Sequence, residues 1–460
     1  MTCVRMLHTC LRLHFHALVA GVMLVSTLAC TRVNTPPEPP QPPENVVPPQ
    51  VRIDFDKALA SMASHDRKAD WNDATCTQVA DMFLDVAKSH EAARKNPLAT
   101  ALYNAGLAYQ RCGWHDRAKA QFQAALDADR SLFRAEVQLA LHAYQEQGDA
   151  VLDSTIERVQ ATVIQAKFQD VDALVNLAML QMKRNSARAQ AGCEDDMSCA
   201  KLNIQRALAI DDGYMPAFNQ LALHYLAKAR SKAGASLGVG RRLRAADAQK
   251  TELSAQMLDL AALVCSQAIR RNARYAPIYN TLGLIQVELE DTNGAVQSFG
   301  KARLFDPKFF EAHMNYAAVN LSFRGFQQAE SAYRDALGIQ PNDYEARLGL
   351  ALAIRGQMDA SNVDQKIESV RAELDKAKTV DGSRPEAYFN EAILIQEFEA
   401  KFAPSDKEKI GVYEKAIGVF DTFVDKAGSA PQYEEAVKNA KERVSDMREM
   451  IRFFSETDGA

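Results

Sequence analysis

Residues 276–309 read APIYNTLGLIQVELEDTNGAVQSFGKARLFDPKF, and residues 310–343 read FEAHMNYAAVNLSFRGFQQAESAYRDALGIQPND. Set one above the other, they agree at fixed places. Gly283 stands over Ala317, Ala295 over Ala329, Phe299 over Tyr333, Ala302 over Ala336 and Pro307 over Pro341, each 34 positions apart. Ala351 follows Ala317 at the same interval. Two antiparallel helices that cross closely need small residues at the crossing, and an aromatic ring fills the space beside them. A proline then stops the second helix before the next pair begins.

A 34-residue period with these markers is the tetratricopeptide signature. Interrupted copies can be read elsewhere. Leu102, Ala105, Gly106, Tyr109, Ala118, Phe122 and Ala125 fit the template around residues 99–132. Leu174, Leu177 and Ala178 open a copy whose second helix resumes at Ala200, Ile204 and Ala207. Phe218, Leu221, Ala222 and Tyr225 open another, with a second helix expected near 261–269; Tyr388 and Ala392 open a late one, and residues 134–165 read as a degenerate copy. The fold class expected is therefore all-α, a tetratricopeptide helix-pair solenoid of about seven to nine pairs wound as a right-handed superhelix. It spans residues 56–432, with insertions near 185–200 and 228–255, and residues 433–460 form a charged capping helix. A non-repeating helical bundle is the plain alternative.

Composition agrees with a helical body. Hydrophobic residues make up 47 % of the 460-residue chain and charged residues 25 %, a globular balance. Half of the 16 prolines lie between Pro36 and Pro49, which leaves the rest free for helix. A net charge of −5 gives no reason to expect nucleic acid.

The N-terminus reads as an address. Arg5 and Arg12 precede an uncharged apolar run, Ala17–Ala29, which is shorter than the ~20 residues a spanning helix needs. Residues 1–29 fit a secretory signal peptide. Thr27-Leu28-Ala29-Cys30 resembles a bacterial lipobox, so Cys30 is the expected lipidation site, although Thr27 stands where that pattern prefers leucine. Ordinary cleavage after Ala29 is the alternative. Residues 30–55 then form a proline-rich tether, extended at roughly 3 Å per residue and on the order of 60 Å long. Thr31 is not aspartate, which under the enterobacterial sorting rule directs a lipoprotein to the outer membrane.

Export permits disulfides. Cys193 and Cys199 flank EDDMS inside an insertion and are expected to clip that loop; Cys76 and Cys112 on successive helices are a second candidate pair, leaving Cys265 as a buried small hydrophobe. No histidine stands near them at ligand spacing, so no metal is expected. Gly234-Ala235-Ser236-Leu237-Gly238 matches a nucleophile elbow in letters but lacks the strand-turn-helix setting that chemistry requires. The chain reads as a non-enzyme with no cofactor and no small-molecule substrate.

Two features point to protein partners. Asn104, Asn176, Asn315 and Asn390 recur two places after the leading apolar position of their first helices, and Asn219 and Asn280 occupy the neighbouring place. A carboxamide both donates and accepts, so a ladder of them along a groove suits an extended partner backbone; bonding between adjacent repeats is the alternative use. Between Lys228 and Lys250 seven basic residues, among them Arg241, Arg242 and Arg244, face a single acid, Asp247. That patch suits an acidic partner, anionic lipid or wall polymer, or else is a solvated loop.

Residues 199–226 (CAKLNIQRALAIDDGYMPAFNQLALHYL), 263–290 (LVCSQAIRRNARYAPIYNTLGLIQVELE) and 309–330 (FFEAHMNYAAVNLSFRGFQQAE) go beyond the general repeat. With YNAGLAYQRCG and the two-cysteine insertion, they resemble the tetratricopeptide-repeat lipoproteins of the myxobacterial adventurous gliding-motility complex, over roughly residues 98–400. The resemblance implies an outer-membrane lipoprotein facing the periplasm, with outer-membrane β-barrels and periplasmic gliding subunits as partners. A pilus-secretin pilotin or an adaptor for cell-wall enzymes would share the same architecture.

Overall fold

The computed structural model describes residues 47–68, 70–187, 192–233 and 245–457. These residues hold nineteen α-helices and no β-strand. In order they are α1 Pro49–Lys68, α2 Asp73–Arg94, α3 Ala99–Arg111, α4 His115–Ala128, α5 Phe133–Gln147, α6 Leu152–Gln165, α7 Val171–Arg184, α8 Asp196–Ile210, α9 Met215–Ala233 and α10 Ala245–Arg271. Then follow α11 Ala276–Glu288, α12 Thr292–Phe305, α13 Phe310–Ser322, α14 Phe326–Ile339, α15 Tyr344–Arg355, α16 Val363–Val380, α17 Glu386–Leu394, α18 Asp406–Ala427 and α19 Glu434–Thr457. Each odd-numbered helix up to α17 packs on the even one after it, giving nine pairs, and each pair packs on the next; α19 closes the series on α18. This is a tetratricopeptide-type helix-pair solenoid.

Local chemistry sets the helix ends. Asn72 caps α2 through a reciprocal box: its Oδ1 accepts from the Ala74 and Thr75 amides, while Thr75 Oγ1 accepts from the Asn72 amide. Asp170, Asp195, Asp291, Asp343 and Ser405 cap α7, α8, α12, α15 and α18 in the same sense. Asn185 closes α7 in the left-handed region, which asparagine tolerates better than most residues.

The crossings work as the repeat spacing requires. A Cβ placed on Gly283 would lie 2.6 Å from the Phe299 ring, and one on Gly106 2.6 Å from the Phe122 ring. Both rings are fully buried. Each such ring contributes about 1.5–3 kcal/mol by leaving water. The core runs along the chain as consecutive clusters, and no pair closes its apolar face alone. One contact spans a long sequence distance: Lys308 Nζ donates to the Trp71 carbonyl, 237 positions away.

Two expected boundaries shift. α1 begins at Pro49, so the end of the stretch expected as tether is helical; a proline in the first turn loses no hydrogen bond there. The insertion expected over 228–255 is narrower, because α9 continues to Ala233 and α10 starts at Ala245, well before residue 261. Both flanks are rich in alanine, lysine and glutamine, which favour helix. The signal segment, Cys30, the Gly234–Gly238 motif and Arg241, Arg242 and Arg244 lie outside the described residues.

Candidate partner-binding face

From α5 to α17 the first helix of each pair touches the first helix of the next, so these helices stand in one continuous row. The first helix α3 joins the row through a hydrogen bond from Gln110 Nε2 to Gln138 Oε1 of α5, at 3.3 Å. In a stack of helix pairs such a row lines the concave surface on which partners dock.

The sequence-derived asparagines all lie on helices of this row, but they do not form one free ladder. Asn104 Nδ2 donates to the Thr100 carbonyl at 2.7 Å and Asn176 Nδ2 to the Asp172 carbonyl at 2.9 Å, each within its own helix. The others brace neighbouring repeats. Asn219 Oδ1 accepts from the Thr281 hydroxyl at 2.7 Å, and the buried Asn280 accepts through Oδ1 from Asn315 Nδ2 at 2.9 Å. Asn390 donates to the Glu386 carbonyl at 2.9 Å and accepts from Arg355 Nη1 at 3.1 Å.

Sequence reading missed the partners of these amides. Arg355 and Gln110 hold the same register, the twelfth place of their repeats. Gln110 reaches Gln138 in the next repeat much as Arg355 reaches Asn390. Their shared register is the signal that marks them in the sequence.

Aromatic and methionine side chains on these helices are mostly packed inward. Tyr103 is buried, with its ring 5.5 Å from that of Phe122 and the Arg134 guanidinium above it. Met179 and Met182 pack partly buried on the core of pairs three and four, and Met314 on that of pairs seven and eight. Nearby, the Tyr214 hydroxyl donates to Asp172 Oδ1; burial first, then the Asp172 charge, pushes the phenol above its usual range.

Several charges on the row are paired. Asp196 is fully buried and accepts from Arg184 twice, at 2.6 and 2.7 Å, a fork-to-fork pair that also takes the Ser186 amide at 2.7 Å. Beside it the Cys193–Cys199 disulfide, with Cα atoms 5.2 Å apart, ties the insertion to the start of α8. Cys76–Cys112, at 6.4 Å, joins α2 to the end of α3. Cys265 is buried and unpaired, and burial pushes its thiol up to about 12. Arg230, at the edge of the basic insertion, pairs with Glu288 at 2.7 Å.

Arg355 has a neutral partner instead. It is half-buried, and burial lowers its pKa below that of an ordinary arginine. Among the described residues no carboxylate lies within ion-pair distance of it; its bonded partner is the neutral Asn390 amide oxygen. By contrast Arg184, Arg347 and Arg371 each meet a carboxylate, and Arg206 lies over the Phe168 ring at 4.3 Å. Past Asn390, α17 widens into a π-turn over Ile395–Glu399, whose Gln396 and Glu397 both accept from Arg443 of α19 at 2.9 Å.

Among the described residues no group of three or more His, Cys, Asp or Glu could hold a metal ion, and no helix is long and apolar enough to cross a membrane.

Residues 99–132 match the tetratricopeptide repeat family model. No curated protein matches the chain. Among solved structures it is similar to TTC0263, a thermophilic TPR protein of Thermus thermophilus, at 23 % identity over 48 % of this chain and 99 % of that one, TM-score 0.38. It is similar also to MamA 41-end from Desulfovibrio magneticus RS-1, at 18 % identity over 39 % and 90 %, TM-score 0.32. YrrB, described as a TPR protein with an unusual peptide-binding site, aligns at 16 % identity over 50 % and 95 %, TM-score 0.31. The matched repeat is the pair α3–α4, and the same crossing of small residue on aromatic ring recurs at α11–α12, so the chain carries tetratricopeptide-type repeats within an all-helical solenoid.

Proposed function

We propose that this chain is a non-enzymatic scaffold, lipid-anchored through Cys30 on the periplasmic side of the outer membrane, that gathers other envelope proteins into one complex. The observation that carries the reading is the continuous row of first helices. It places amide and cationic side chains of neighbouring repeats, Asn315 and Arg355 among them, along one side, a surface suited to an extended protein segment. The two disulfides support an exported location, because such bonds persist in oxidising compartments.

Within that class, the gliding-motility machinery is the leading assignment, on the resemblance of residues 98–400. Its partners would be outer-membrane β-barrels and periplasmic gliding subunits. A pilus-secretin pilotin or an adaptor for wall enzymes is the competing assignment. Envelope fractionation followed by crosslinked pull-down separates them. Recovery of barrel and gliding subunits is the expected result, while recovery of secretin or wall hydrolases alone overturns the assignment. Labelling with a fatty acid tests the anchor: label should disappear in Cys30→Ala, and label that persists contradicts lipidation there.

A further inference from the structure

We propose that the exposed face of α10, turned away from the row of first helices, is a self-association surface on which a second copy of this chain lays its own α10 antiparallel. The proposal does not depend on the docking role of the concave row, which it leaves free.

α10, Ala245–Arg271, is the longest of the described helices. One side of it packs on α9 and α11 and buries Leu258, Ala261, Val264, Cys265 and Ala268. The other side carries Leu253, Leu260 and Leu263, which are 39 %, 39 % and 51 % exposed. None of the three joins the neighbouring core cluster, which does take in Met257, Ala262 and Ile269 from the same helix. At 3.6 residues per turn, Leu253, Gln256, Leu260, Leu263, Gln267 and Arg270 fall within one arc of about 100°. Their spacing is 3-4-3-4-3, that of a seam along which one helix packs on another. Single exposed leucines are ordinary, whereas three in register on one seam form a contiguous apolar strip.

Charge selects the occupant and its direction. Glu252 is exposed beside Leu253, and Arg270 is exposed at the far end of the seam. Neither has an ion-pair partner among the described residues, whereas Arg271 is held by Asp212 at 3.6 Å. A parallel copy would set Glu252 on Glu252 and Arg270 on Arg270. An antiparallel copy, with the twofold axis passing between Leu260 and Leu263, sets unlike charges together. Leu260 of each copy then faces Leu263 of the other, Gln256 faces Gln267, and Leu253 lies on the stem of Arg270. At 1.5 Å per residue, Glu252 stands about 14 Å from the axis and Arg270 about 13 Å, so they meet across the interface twice per dimer. The facing glutamines can bond reciprocally, since each amide both donates and accepts. Asp259, also exposed, comes near the Ser266 hydroxyl of the other copy, which can donate to it. A basic helix from another protein would satisfy Glu252 and leave Arg270 opposed. Such self-complementarity is what an isologous interface requires.

Sedimentation velocity of the mature full-length chain in non-ionic detergent, over a dilution series, should show a dimer that dissociates to monomer. Leu260→Ser combined with Leu263→Ser should raise the dissociation constant about a hundredfold, because the apolar centre of the interface is lost from both copies. Glu252→Arg alone should raise it about tenfold, and adding Arg270→Glu should bring it back, since the exchange restores unlike charges only in the antiparallel arrangement. The substituted residues are exposed, so the melting temperature of the monomer should stay level. A second measurement serves if the serine variant melts early. Gln256→Cys combined with Gln267→Cys should form a covalent dimer on mild oxidation and neither alone should, because like positions lie about 17 Å apart along the axis. A monomer at every concentration overturns the proposal, and so does a dimer unmoved by the leucine substitutions or a cysteine pair that does not link. A dimer that the added Arg270→Glu fails to restore overturns the antiparallel register.

Discussion

Gly283 and Phe299 show how one residue pair holds a repeat together. The glycine has no Cβ, and the fully buried ring occupies the space a Cβ would need. Phe299→Ala should lower stability by about 3–5 kcal/mol in urea titrations, through lost burial and the cavity left behind; a change well under 1 kcal/mol would contradict the crossing. His224 is a different kind of residue. It is fully buried, neither ring nitrogen has a hydrogen-bond partner in the described protein, and burial with Lys228 and Lys201 nearby pushes its pKa down to about 4. Asp195 acts weakly in the opposite direction. The unfolded chain takes up that proton near pH 6.5, the folded chain only near 4, so His224 makes the fold less stable as pH falls through this window. The loss approaches about 3 kcal/mol by pH 4. His224→Leu should flatten that part of the curve of stability against pH, and an unchanged slope between pH 6.5 and 4 would refute it. At this scale the repeat markers were legible in the sequence because sterics at the crossing permit few residue types. The role of Asn280 and Asn315 was not, because whether an amide faces a partner or its neighbour depends on how two repeats meet.

Among the elements, the first two pairs are linked covalently as well as by packing. The Cys76–Cys112 bridge closes a loop of 36 positions between α2 and the end of α3. Replacing both cysteines by serine should reduce stability by about 2–4 kcal/mol, read as a lower urea midpoint than that of the oxidised protein; equal midpoints would mean that the bridge adds nothing to packing. Element positions were readable where the 34-residue period is unbroken, as in α11 to α14, and less so where it is interrupted. α10 begins at Ala245 rather than near residue 261, because AADAQKTELSAQ carries helix-forming residues without the small-and-aromatic markers that reveal a repeat. The π-turn after α17 left no recognisable sign in EAILIQEFE, since one extra residue in a helical turn changes neither composition nor period enough to see.

For the whole molecule, a stack in which each pair meets mainly its neighbours should loosen locally rather than all at once. Phe420 lies fully buried in the cluster that joins α17, α18 and α19. Phe420→Ala should therefore raise amide exchange in those helices while α3 and α4 keep their protection; a uniform loss along the chain would contradict the nearest-neighbour picture. The architecture was readable because one period repeats along most of the chain. Partner identity was not, because a docking surface is assembled from side chains of several repeats, and no single stretch encodes it. The row of first helices is the centre of the functional account, and site-specific photocrosslinking in the envelope tests it most directly. A crosslinking residue at Asn104 or Asn176, on the row, is compared with one at Leu304, which is 71 % exposed on the second helix α12. Adducts to other envelope proteins should form from the two row positions and not from Leu304; adducts from Leu304 with none from the row would contradict a partner-binding concave face.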